Sequence, residues 1–120
     1  MSKQNIFPVL LDGEVTITAD KTWGKTGTGE TGVVGYVILN GTNTNDSELT
    51  FNSNDIPDGL ESGSLIYVIN KSAATQKVNL TPSPESDVNA DNVDLSAGDV
   101  VTVMYHHDHK FIFMSQVQAY

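Results

Sequence analysis

The sequence predicts an all-β domain, and three observations predict it. "SLIYVIN" (64–70), "DVVTVMY" (99–105) and "KFIFMSQV" (110–117) are short runs rich in β-branched and aromatic residues. Gly, Asn, Asp and Pro gather between such runs, as turn residues do. No segment keeps a helical period over about ten residues. The architecture expected is a small antiparallel β-sandwich or jelly roll of about seven to eight strands, carrying an extended N-terminal arm. A chain of 120 residues, 38% of them hydrophobic, fits one domain with a thin core. The boundaries follow: an arm over residues 1–12 and one β domain over 13–120.

In the arm, Ile6, Phe7, Val9, Leu10 and Leu11 are apolar, while Pro8 excludes a helix or a central strand. Two readings stand side by side: an edge strand on the chain's own core, or a segment that docks on a neighbouring subunit. "VTIT" (15–18) alternates as a half-buried strand does. "TWGKTGTGETG" (22–32) holds four glycines and reads as a loop. "VVGYVILN" (33–40) is a strand that ends at the turn signal Asn40-Gly41. "ELTFN" (48–52) is short, and "DIPDGLESG" (55–63) must turn at Pro57. "SLIYVIN" and "KVNLT" (77–81) are expected to pair as a hairpin, and "PSPESD" (82–87) is a loop. The strands 99–105 and 110–117 form a closing hairpin, with "HHDH" at its tip.

The charge balance narrows the partners. Six lysines and no arginine stand against 15 acidic residues, a net −9. Phosphate backbones and anionic membranes call for the opposite field, so neither nucleic acid nor membrane is an expected partner. No apolar run reaches the length of a membrane span or a signal core. Without cysteine there is no disulfide and no zinc–thiolate site. Assembly in a cytoplasm is expected.

An internal echo stands out. "LESGSLIYVI" from Leu60 and "LSAGDVVTVM" from Leu95 both read Leu-x-x-Gly-x and then a strand. The glycine is expected to permit a tight turn, and the leucine to tuck beneath it. "VTITADKTW", "LESGSLIYVINKSAATQKVNLTPS" and "VDLSAGDVVTVMYHHDHKFIF" together resemble a module of tailed-phage virion proteins, over roughly residues 15–114. The resemblance implies a small β domain of a capsid surface, head fibre or spike, often trimeric. Where the module ends in Asp-Gly-x-x-Trp, this chain has "HHDHKF", with Phe111 as the aromatic.

Several stretches invite a chemical reading. "ADKTWGKT" (19–26) fits a relaxed phosphate-loop pattern, yet "GTGETG" follows where a helix should begin. Asn52, Asn54, Asp55, Asp58 and Glu61 are oxygen ligands of the kind calcium takes, but they are also ordinary turn residues. Trp23, Tyr36, Tyr67, Tyr105 and Tyr120 could stack on a sugar. Of these, Tyr67 is expected to face the core, and Trp23 to be the better placed for contact with a partner. His107 and His109 fall on one side if the strand persists, with His106 opposite. They are the candidate metal ligands, and the resemblance to spike tips implies a His-x-His pair from each of three chains on a threefold axis. The preferred reading of the tip is a polar turn without metal, and no cofactor is expected.

The functional expectation is a non-enzymatic virion protein: a capsid decoration or cement protein, homotrimeric, bound to a major capsid protein or another virion protein. Its contact residues would be Ile6, Phe7, Val9, Leu10, Leu11 and Trp23. The alternatives are a tail-fibre or spike module binding a receptor or glycan, and a small all-β hydrolase.

Overall fold

The computed structural model describes residues 8–25, 27–81 and 91–118. It is all-β among these residues. Ten strands run in order: β1 (Val9–Leu10), β2 (Glu14–Ile17), β3 (Lys21–Thr22), β4 (Tyr36–Leu39), β5 (Leu49–Asn52), β6 (Ser64–Asn70), β7 (Gln76–Thr81), β8 (Asn92–Leu95), β9 (Asp99–His106) and β10 (Lys110–Gln118). The larger sheet has the order β10-β9-β6-β4-β2, with β1 also on β6; the smaller has the order β3-β5-β7-β8.

Pairing departs from the expected antiparallel sandwich: the sheets are mixed. β1 with β6, β2 with β4, β4 with β6, β3 with β5 and β5 with β7 are parallel. β6 with β9, β9 with β10 and β7 with β8 are antiparallel. The cause is the path of the chain. Three times it lays a strand in the larger sheet and the next strand in the smaller one, so successive turns stack in parallel. β8 and β9 then reverse against the last turn, and β10 turns back along β9. The hairpin expected between 64–70 and 77–81 therefore does not form, since β6 and β7 belong to different sheets. Asn40-Gly41 likewise leads from one sheet to the other and not back along a hairpin.

One apolar cluster fills the space between the sheets. Val37, Leu39, Ile66, Val68, Val101 and Val103 come from the larger sheet, and Leu49, Phe51, Val78 and Leu95 from the smaller; each is fully buried. Trp23, Phe51, Tyr105 and Phe111 close one end, with Trp23 stacked on Phe51 at 5.5 Å and edge-on to Phe111 at 5.8 Å. Such pairs add to the area they bury, because ring edges and faces carry opposite partial charge.

The Leu-x-x-Gly echo is a repeated turn. Gly63 and Gly98 have φ of 93° and 86°. Ser64 N donates to Glu61 O and Asp99 N donates to Ser96 O, at 3.1 and 3.0 Å. This is the type II pattern, in which the third residue needs positive φ. Leu95 is fully buried and Leu60 packs against the core, as the sequence led one to expect.

At the far end of β6, Asn70 is fully buried and satisfied. Its Nδ2 donates to Ala74 O and Leu95 O, both at 2.8 Å. Its Oδ1 accepts from Ser72 N at 2.9 Å and from Ser72 Oγ at 2.7 Å. This side chain turns the chain out of one sheet toward the other and ties in the end of β8.

Candidate functional site

Strand alternation gives each strand of the larger sheet an inner and an outer row. In β6 the inner row is Ser64, Ile66, Val68 and Asn70, and the outer row is Leu65, Tyr67 and Ile69. The outer row is the more apolar of the two. Its neighbours follow from register: Tyr36 beside Tyr67, Ile38 beside Ile69, Val100 beside Ile69, Met104 beside Leu65, and Ile112 beside Met104. Tyr36 and Tyr67 stack with ring centroids 5.3 Å apart. Tyr36 is 42% exposed and the others are half-buried by their neighbours in the sheet. Among the described residues no strand lies across this face, and Thr102 is the one polar residue in its middle. Charge appears at the rim, at Glu14 beside Tyr36 and at Lys110 beside His106.

Tyr67 thus faces outward, contrary to expectation. Alternation reports a period of two, but with apolar residues in both rows it carries no phase. The polar pair Ser64 and Asn70 in the inner row was the available signal, and it is misleading unless their buried hydrogen bonds are known.

Trp23 is corrected as well. It is 3% exposed, and its indole Nε1 donates to Val34 O at 2.8 Å. The ring is part of the core and presents no contact surface. In the arm, Ile6 and Phe7 lie outside the described residues. Val9 N donates to Gly63 O at 2.9 Å, so β1 extends the chain's own sheet. Leu11 packs against the core, while Leu10 is 70% exposed. Of the residues expected to meet a partner, Leu10 is the one with a described, largely open side chain.

The phosphate-loop and calcium readings find other employment in the structure. Lys25 pairs with Asp55, whose hydrogen bond and charge raise the lysine above its usual value. Asn52 Oδ1 accepts from Asn54 N at 2.9 Å, an ordinary turn contact.

At the closing hairpin the strand does not persist through the histidines. His106 ends β9 opposite Lys110, and residues 107–109 turn. Lys110 takes φ 61° to re-enter the ladder, as the residue closing a short hairpin loop often does. The turn brings the rings together: His106 to His107 at 4.7 Å and His106 to His109 at 5.1 Å, all near parallel. The expected separation of His106 from the other two is therefore corrected. Ser62 Oγ accepts the His107 backbone N–H at 2.8 Å and lies 2.9 Å from His107 Nδ1. The tip stands at the end of the outer apolar face, because His106 continues the row of Val100, Thr102 and Met104.

No protein-family model, curated protein or solved structure matches the chain.

Proposed function

We propose that this chain is a non-enzymatic structural module of a virion, a capsid decoration protein built as a small two-layer β-sandwich. Copies join through the outer face of the larger sheet, as a homotrimer, and the assembly binds the coat. The observation that carries the reading is the uncharged outer face of Tyr36, Ile38, Leu65, Tyr67, Ile69, Val100 and Met104. A mixed or antiparallel sheet with one face on the core usually turns a polar face to water. A contiguous apolar patch is instead the mark of an interaction surface. Self-association suits it, because the middle of the patch is uncharged and the charges beside it, Glu14 and Lys110, stand at its rim. The phage-module resemblance supports the coat as the further partner. Bridging neighbouring coat subunits would stabilise the shell by mass action, since the module binds only the assembled state.

The test is mass in solution by light scattering, paired with co-sedimentation on empty phage heads. The wild type should be trimeric and should sediment with heads. Tyr67→Glu, placed in the middle of the face, should be a folded monomer. A monomeric wild type, or a Tyr67→Glu variant of unchanged mass, would refute assembly through this face. Failure to sediment with heads, together with binding to host cells, would favour the fibre or receptor-binding reading.

A further inference from the structure

The tip of the closing hairpin holds a set of metal ligands that assembly through the sheet face does not use. His106, His107 and Asp108 place one ligand atom each within 4.8 Å of one another. The most telling distance is between His107 Nε2 and Asp108 Oδ1, 3.3 Å. The other nitrogen of that ring, Nδ1, lies against Ser62 Oγ; in the tautomer whose Nδ1–H donates to that oxygen, Nε2 carries the lone pair that a metal would take. At this separation the Nε2–H of a neutral imidazole can donate to the carboxylate, and a metal ion can take that hydrogen's place between the two. Two ligands at about 2.0–2.1 Å on a tetrahedral ion lie about 3.3 Å apart, which is the spacing seen.

His106 supplies the third donor. Its Nδ1 accepts the Asp108 N–H at 3.1 Å, so turning the ring toward an ion displaces one exposed hydrogen bond. The base of the tip is firm: Tyr105 and Phe111, on either side of it, are buried in the aromatic cluster. Lys110 Nζ donates to His107 O at 3.3 Å and pins the turn. The chain's excess of carboxylates draws cations toward it.

We propose that His106, His107 and Asp108 bind a transition-metal dication of the zinc class, one ion per chain. Two imidazoles and one carboxylate suit zinc, cobalt or nickel; calcium and magnesium favour all-oxygen sets. The fourth position is open to water or to a donor from a partner. His109 stacks on His106 and is not a ligand, which distinguishes this site from one built on His107 and His109 of three chains.

The untagged, chelator-treated full chain should be titrated with Zn2+ by calorimetry and with Co2+ by visible absorption. Expected are one ion per chain and the intense visible bands of tetrahedral cobalt. Affinity should fall about tenfold or more in His107→Ala and in Asp108→Asn, with a smaller loss in Ser62→Ala. His109→Phe keeps a ring on His106 and should leave affinity within about threefold. These side chains lie on an exposed turn, and unchanged circular dichroism would confirm that the variants fold. Absence of saturable binding, indifference to Asp108→Asn, or one ion per three chains lost with His109 would each overturn the proposal.

Discussion

Replacing Asn70 with Ala tests whether a single side chain joins the two sheets. The wild-type amide makes four hydrogen bonds and is wholly shielded from water. Truncation leaves Ala74 O a partner, because the single Ser72 hydroxyl hydrogen, released from Asn70, can donate to it across 2.7 Å. Leu95 O loses its side-chain donor and Ser72 N loses its acceptor. A buried polar group deprived of its partner costs about 1–3 kcal/mol, so the two together cost about 3 kcal/mol. That is a large share of the roughly 5–15 kcal/mol of a small domain. The assay is equilibrium urea unfolding followed by tryptophan fluorescence, since Trp23 is buried in the folded chain. Asn79→Ala is the matched control. Its amide donates to Glu48 and Thr50 on the half-exposed side of the smaller sheet and should cost under about 1 kcal/mol. Equal, small losses for the two variants would refute the view that Asn70 is the joint.

Three further outcomes are expected. Gly98→Ala forces a side chain to φ 86° and should cost about 1–2 kcal/mol in the same unfolding assay, whereas Gly41→Ala should destabilise by crowding Asp46 and Ser47 without any positive φ. Trp23→Ala should cost about 3–5 kcal/mol, from the lost ring contacts and the void between Phe51 and Phe111, read as a fall in melting temperature. Gly35→Ala drives a methyl group onto the Leu11 carbonyl and should loosen the segment that follows β1; in a chain lacking residues 1–12 the same substitution should cost much less, measured as a double-mutant cycle.

The closing hairpin shows how far the residues alone could lead. Its strands and its turn were legible, because β-branched and aromatic runs separated by polar residues leave few other solutions. The stacking of three imidazoles was not, since it depends on where the strand stops. The turn over residues 107–109 ends the alternation that would have kept His106 apart. Ser62, 45 residues away in sequence, has no signal of its own that ties it to His107.

By itself the sequence determined that the described residues are all-β, where the longest strands run, and that Gly63 and Gly98 launch two of them. These are local matters, settled by side-chain shape, a period of two and the φ that a turn demands. Only the tertiary structure decided which sheet each strand enters, that five pairings are parallel, and that Leu65, Tyr67 and Ile69 look outward. Pairing joins segments far apart in sequence, and a strand apolar on both faces does not announce which face is covered. The core took Trp23 from a glycine-rich loop because it offered an aromatic pocket and a free carbonyl at Val34.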